Sequence, residues 1–142
     1  MEYQQKSLIK EYKHWAVQAH PDQSLLGRCV LWCKRADAIS LEEASSEEQI
    51  ELFQILKDIK SALNETFQPD LINYTFLGNV TNHLHGHLIP RYKTEREFMN
   101  QTFIDKKWGH NPYRSNDTSP VDEDIQEEVR KTLAEILNNK KS

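Results

Sequence analysis

The chain has little of several features that would mark a specialised class of protein. Its 142 residues contain two cysteines and four glycines, and the net charge is −4. No apolar stretch approaches the length of a transmembrane segment, and the amino-terminal residues lack the apolar region of a signal peptide. A dedicated binder of long nucleic acids is expected to be basic, which this chain is not. We therefore expect a cytoplasmic protein that contacts neither a membrane nor long nucleic acid.

The two cysteines, Cys29 and Cys33, are expected to be reduced and buried. They lie four residues apart in the apolar segment 29–33, which has the composition of a buried strand. On a strand they share one face but are ~13 Å apart, too far for an easy disulfide. Their spacing also differs from the C-x-x-C pattern of zinc sites.

The length of the chain predicts a single domain over residues 1–142, and the periodicity of its apolar residues predicts both helices and strands. A capping box formed by Ser45 and Glu48 precedes a helix whose apolar positions, from Ile50 and Phe53 onward, recur with helical spacing. Residues 93–120 show no regular pattern, and we expect a loop that packs along the functional site. The predicted elements are helices at 2–14, 46–67 and 121–137 and strands at 15–20, 29–33, 71–76 and 83–89.

Three of the six histidines occupy alternate positions within the segment 82–91. Successive side chains of a strand point to opposite faces, so His83, His85 and His87 are expected to project from one side of a sheet. An imidazole has an unperturbed pKa near ~6.5 and can act as a nucleophile, a proton donor or a metal ligand at neutral pH. The row is therefore the leading candidate for the functional site.

The residues between and after the histidines define the rest of the predicted strand. Leu84 and Leu88 are expected to point into a core on the opposite face. Gly86 leaves room for close packing there, and Pro90, which has no amide hydrogen, is expected to end the strand. The strand at 71–76 and this one are predicted to form an antiparallel hairpin.

Three interpretations of the histidine row compete. Chance explains it poorly: with histidine at ~2% of residues, an alternating triple is a ~10⁻⁵ event per position. A zinc site is the second, because histidines two residues apart on a strand can share one ion, although the first and third start ~13 Å apart. The third is nucleophilic catalysis by one imidazole that its neighbours position.

The pattern His83-x-His85-x-His87, followed by Pro90 and Arg91, resembles the signature of the histidine triad (HIT) family of nucleotide hydrolases and transferases. This resemblance implies an α+β HIT fold, an antiparallel sheet of about five strands with one long helix packed on it and terminal helices. The likeness covers about residues 14–115. HIT domains commonly pair into dimers that extend the sheet, and we expect a homodimer here.

The resemblance also implies a role for each histidine. His85 is the nucleophile that attacks the α-phosphate of a nucleotide and forms a nucleotidyl-histidine, which water then cleaves. His87 contacts the substrate phosphate and stabilises charge in the transition state. His83 holds the strand and loop through a hydrogen bond. The row needs no metal and no cofactor for this chemistry. One position departs from the family pattern: Gly86 stands where members usually carry a bulkier residue.

Four further residues are candidates for substrate binding. Asn79 and Asn73 match positions that family members place near the phosphates, and Arg91 is a candidate for a polyphosphate tail. Asp37 is the candidate for the ribose hydroxyls, although a plain turn role is the alternative for it and for both asparagines. The resemblance favours a dinucleoside-polyphosphate hydrolase. The alternatives are a nucleoside phosphoramidase, a nucleotide-binding module with little turnover, and a metal-dependent hydrolase.

Overall fold

The predicted α+β architecture is confirmed. The structure, a computed structural model, describes residues 4–113 and 121–139. Its main sheet is antiparallel and five-stranded, with strand order β1-β2-β3-β5-β4. The strands are β1 (Leu8–Glu11), β2 (Trp15–Ala19), β3 (Cys29–Cys33), β4 (Leu71–Thr75) and β5 (His85–Arg91). Two helices, α1 (Ser46–Thr66) and α2 (Glu123–Asn139), share a hydrophobic core with one face of this sheet.

The long helix α1 begins at the predicted capping box. The Ser45 hydroxyl accepts from the Glu48 amide at 3.1 Å, and the Glu48 carboxylate accepts from the Ser45 amide at 2.8 Å. Two otherwise unpaired amides are thereby satisfied. The predicted buried face is wrong in its first turns, since Ile50 and Phe53 are 73% and 65% exposed. The helix carries apolar residues on two sides, and the side that meets the sheet holds Leu52, Ile55, Ile59, Ala62 and Leu63.

The carboxy-terminal helix α2 lies close to the predicted range of 121–137. It buries Ile125, Val129, Leu133 and Leu137, which recur every four residues and therefore lie on one side of the helix. This side packs on β1, β2 and α1. Neither of the two described helices is long and apolar enough to cross a membrane.

The helix predicted at 2–14 is wrong. Residues 5–7 form one turn of 3₁₀ helix, and Leu8–Glu11 is the edge strand β1, paired antiparallel with β2. The prediction rested on only three apolar positions, Leu8, Tyr12 and Trp15, whose spacing fits one face of a helix. Pairing with β2 and burial of Ile9, which is 2% exposed, decide the outcome.

The histidine strand differs from its prediction at both ends. β5 begins at His85, so His83 precedes it, and it continues through Pro90 to Arg91. Pro90 pairs with Ile72 of β4, whereas the pairing of β5 with β3 stops at Leu88. Proline is tolerated where one neighbouring strand has ended, because the missing amide hydrogen then breaks no bond on that side.

The back of the histidine strand is filled as expected. Leu84 and Leu88 are 2% and 0% exposed in the core. Gly86 faces the ring of Phe76, which occupies the space that a side chain at position 86 would need. Phe76, the residue that follows β4, thus fills the space behind the histidine strand.

The segment 93–120 is more regular than predicted. It contains a small hairpin, β6 (Arg96–Phe98) and β7 (Gln101–Phe103), turned by Met99 and Asn100 with positive φ. The part of the predicted loop from 114 to 120 lies outside the described residues. Both cysteines are free and buried on the core side of β3.

Candidate active site

The face of the sheet opposite the helices carries the histidines. Across the strands, His85 is paired with Trp32 and His87 with Val30. Val30 is in turn paired with Gln18 of β2. Paired residues of neighbouring strands share one face, so these side chains form a continuous floor from β5 to β2.

A cleft of about 600 Å³ lies over this floor. Its walls are the end of β2 with His20, the loop 77–81 that precedes the histidines, the amino-terminal residues 4–7, and the start of α2. His85 and His87 both line it, and His83 does not. The site is therefore an open groove lined by three imidazoles, two of which belong to the histidine row.

The ring of His85 is held in one tautomer. Its Nδ1 lies 2.7 Å from the backbone oxygen of His83. A carbonyl oxygen can only accept a hydrogen bond, so Nδ1 must carry the hydrogen. The other ring nitrogen, Nε2, then keeps its lone pair when the ring is neutral. His85 thus presents a nucleophilic nitrogen rather than an N–H.

His83 fastens the beginning of the histidine strand to β3. Its Nε2 lies 2.6 Å from the Cys33 carbonyl oxygen, to which it donates, and its ring stacks on Trp32 with centroids 4.2 Å apart. The Cys33 amide also donates to the carbonyl of Leu84 at 3.1 Å. Because the His83 carbonyl orients His85, this attachment fixes the neighbouring ring as well.

His87 lies in a tight group of rings. Its centroid is 5.6 Å from that of His85, 5.5 Å from His20 and 6.2 Å from Tyr113. Burial, with the charge of Arg28 and the neighbouring His85, lowers the pKa of His87 to about 4. His87 is therefore neutral at pH 7 and can offer an N–H or a lone pair, but not a full positive charge.

Two residues of this group, His20 and Arg28, were not foreseen from the sequence. The Asp22 amide donates to His20 Nδ1 at 2.9 Å, so the hydrogen of the neutral ring is on Nε2. Burial, Arg28 and His87 lower the pKa of His20 to about 3. The sequence predicted strands at 15–20 and 29–33 but not their pairing; had these neighbouring strands been taken as a hairpin, position 20 would have been placed opposite position 28.

The candidate binding residues do not all come together. Asn79 lines the cleft, in the loop 77–81. Asp37 does not: its side chain is 85% exposed and forms an ion pair with Arg35 at 2.9 Å. The structure therefore brings Asn79, but not Asp37, to the histidines.

Arg91 and Asn73 lie beyond the histidines, and the prediction that Arg91 binds substrate needs correction. The Arg91 side chain is 3% exposed and forms a two-pronged ion pair with Asp105, at 2.7 and 3.1 Å. Its remaining N–H groups donate to the Asn73 side chain and to the carbonyls of Lys107 and His110, each at 2.8 Å. All five donors are used, so Arg91 anchors the segment 105–110 and has none left for a ligand.

Within residues 4–113 and 121–139, no three His, Cys, Asp or Glu side chains are grouped as they would be around a metal ion. His83 and His85 direct one ring nitrogen each at a backbone carbonyl. Each ring keeps its other nitrogen for a ligand, since the histidines of metal sites commonly donate their second N–H to a carbonyl in the same way.

Comparison with known proteins places this site in a family. The profile of the HIT domain matches residues 10–94. No curated protein sequence matches the chain at a significant level. Among solved structures, a histidine triad protein from Bradyrhizobium japonicum is 20% identical, with a TM-score of 0.75, over 92% of this chain and 89% of that one. A histidine triad protein from Marinobacter aquaeolei is 22% identical, with a TM-score of 0.74, over 92% and 88%. One from Sinorhizobium meliloti is 20% identical, with a TM-score of 0.73, over 90% and 87%. At such identities these structures establish a shared fold.

Proposed function

The chain belongs to the HIT domain family, and on that premise we propose that it is a nucleotide hydrolase or nucleotidyl transferase that cleaves an α-phosphate bond through His85. The observation that carries this proposal is the 2.7 Å contact between His85 Nδ1 and the His83 carbonyl. It leaves Nε2 of the neutral ring with a lone pair, in a cleft large enough for a nucleotide. Nucleophilic catalysis requires such a preset imidazole.

The proposed reaction has two steps. The Nε2 lone pair attacks the α-phosphorus and forms an N–P bond, while the P–O bond to the leaving group breaks and its electron pair stays on that oxygen. Water then attacks the phosphorus, loses one proton, and returns the N–P electron pair to Nε2. The hydrogen bond from Nδ1 to a carbonyl stabilises the positive charge that the ring carries in the intermediate.

The neighbouring residues take supporting roles in this proposal. His87, neutral and next to His85, contacts the phosphate oxygens. His83 acts through its attachment to β3 and positions His85. Asn79 contributes its amide to the phosphates from the loop 77–81. Asn73, Arg91 and Asp37 have no part in it, because they lie outside the cleft.

Dinucleoside polyphosphates are the proposed substrate class. The cleft continues from the histidines over Val30, Trp32 and Gln18, a surface with apolar and polar parts that suits a base and its ribose. The second candidate is a nucleoside phosphoramidate, with a P–N bond in place of the P–O bond. A binding module with little turnover is the alternative outside the enzyme class.

We propose that the active form is a cytoplasmic homodimer. Among the described strands β4 pairs only with β5, so its other edge is open. Leu71 and Tyr74 on this strand are 52% and 44% exposed, and Tyr74 lines an apolar groove together with the exposed Phe53 of α1. An open edge beside an apolar face is the surface through which a second copy extends a sheet. Light scattering should give a dimer mass, and Phe53→Glu should give a monomer, whereas Ile104→Glu at another exposed site should not.

The decisive test of the function uses a diadenosine polyphosphate in the presence of a chelator. Nucleotide release is followed while quenched samples are weighed by intact-protein mass spectrometry. We expect release and a transient nucleotidyl adduct with the wild type and with His14→Ala, a histidine between β1 and β2 that lies outside the cleft.

His85→Ala should abolish both release and adduct and should retain nucleotide binding. Undiminished turnover by this variant would refute the nucleophilic role. A rate that needs added zinc would instead support the metal-dependent alternative. Binding without turnover of either substrate class would support the binding module.

A further inference from the structure

Two largely buried arginines on this sheet face differ in how many of their N–H groups have a hydrogen-bond partner. Arg91 uses all five N–H groups in bonds of 2.7 to 3.1 Å. Arg28 is 14% exposed, yet its Nη1 is 3.9 Å from the Asp22 carboxylate and its Nη2 is 3.4 Å from the Tyr113 hydroxyl. Its Nε is buried and has no partner among the described residues. Arg28 therefore keeps donor capacity that the fold does not use, and an unused buried donor is costly.

The position of Arg28 connects this unused capacity to the histidines. Trp32 and Val30 form the cleft floor on β3, and Arg28 is the next side chain on the same face. The Tyr113 ring lies close to both groups, 5.4 Å from the guanidinium carbon and 6.2 Å from the His87 ring. Along β3 the step from Trp32 to Arg28 is ~13 Å. A chain of two or three phosphates that starts at His85, together with the arginine side chain, covers this distance.

We propose that Arg28 is a specificity-determining residue whose free N–H groups bind a phosphate of the leaving group, so that the site selects nucleotides with a polyphosphate chain over nucleoside phosphoramidates. This inference rests on the proposed attack by His85. The geometry orders the substrate along the face: the α-phosphate at His85, the bridging oxygen near His87, and the distal phosphate at Arg28.

The chemistry of the leaving group agrees with this assignment. When the P–O bond breaks, its electron pair stays on the leaving phosphate, where a guanidinium stabilises the growing charge. An amine leaving group acquires no such charge and needs a proton before it departs. The nearby His87 is neutral and therefore a weak source of that proton. The same surroundings thus favour a phosphate and disfavour an amine.

The first experiment measures binding of inorganic tripolyphosphate by calorimetry, which requires no turnover. The wild type and Lys13→Gln, which removes one positive charge at an exposed position, should bind equally. Arg28→Gln should bind about 10- to 100-fold more weakly, the loss of a charge-assisted hydrogen bond. Arg28→Lys, which keeps the charge but loses the forked donors, should bind between the two and replaces the glutamine variant if that one does not fold. Equal affinity of the wild type and the Arg28 variants, or no binding by the wild type, would overturn the proposal.

The second experiment compares kcat/KM for a dinucleoside polyphosphate with that for a nucleoside phosphoramidate. Arg28→Gln should lower the ratio of the two values by about 10- to 100-fold, because only one substrate contacts the guanidinium. An unchanged ratio would refute the role in specificity. If the wild type turns over neither substrate, the proposed function fails, and the tripolyphosphate comparison alone decides whether Arg28 is a phosphate site.

Discussion

Replacement of Gly86 by alanine would test how the histidine strand is supported from behind. Gly86 lies between His85 and His87 in β5 and is buried. A β-carbon there would overlap Phe76 Cε2 and would lie 2.6 and 2.7 Å from Cζ and Cδ2 of the same ring. Optimal carbon–carbon contacts are ~3.5–4.0 Å, so either the ring or the strand must move by about 1 Å.

The expected cost follows from where the ring can go. Phe76 is partly buried and packs against the main core, so a shift of the ring gives up contacts with its neighbours. Overpacking of this kind costs about 1–3 kcal/mol. Phe76→Leu removes Cε2 and Cζ, the two nearest of these atoms, and the double variant should therefore lose less stability than the sum of the two single changes. We expect a coupling of about 1 kcal/mol or more between the two positions.

Urea unfolding of the wild type, Gly86→Ala, Phe76→Leu and the double variant measures this coupling directly. Gly86→Ala should also slow turnover, because a moved strand displaces both site histidines, and the double variant should recover part of the rate. Wild-type stability of Gly86→Ala, or strict additivity of the two substitutions, would show that the Phe76 ring does not set the position of the strand.

Three further predictions concern stability. Asp105→Asn leaves the buried guanidinium of Arg91 without its counter-charge and should cost about 3–5 kcal/mol in urea unfolding. Ser45→Ala removes the hydroxyl that caps α1 and should cost about 1 kcal/mol by the same assay. The folded-state pKa values of His87 and His20, about 4 and about 3, lie below the ordinary 6.5. The unfolded chain thus binds more protons below about pH 6.5, and stability should fall as the pH drops from there toward 4. His20→Gln should flatten that fall, which a series of urea midpoints against pH would detect.

Several elements could be predicted because their signals are local. The strand Cys29–Cys33 is a short apolar run, and it was predicted with its observed ends. The start of α1 depends on the capping box at Ser45, whose bonds join residues only three apart. The alternation of the histidines is set by the period of a strand, so His85 and His87 share one face wherever that strand lies.

Other features depend on partners that are remote in sequence. Three apolar positions near the amino terminus, Leu8, Tyr12 and Trp15, have the spacing of a helix, but pairing with β2 selects a strand. α1 has two apolar sides, and the sheet takes the side of Ile55 and Ile59 while Phe53 remains exposed. No local pattern shows which side of a helix meets a sheet.

The fold class, the family resemblance and the row of imidazoles can be read from the sequence alone, since each is carried by periodicity or by a contiguous motif. The roles of the nearby polar residues follow from their partners in three dimensions. Arg91 follows the motif, but its guanidinium is paired with Asp105, which is 14 residues away. Arg28, more than 50 residues before His85, lies beside the histidines, and its Nε has no partner among the described residues. Whether a side chain is free to bind a ligand depends on which groups surround it in space, and folding brings those groups from distant parts of the chain.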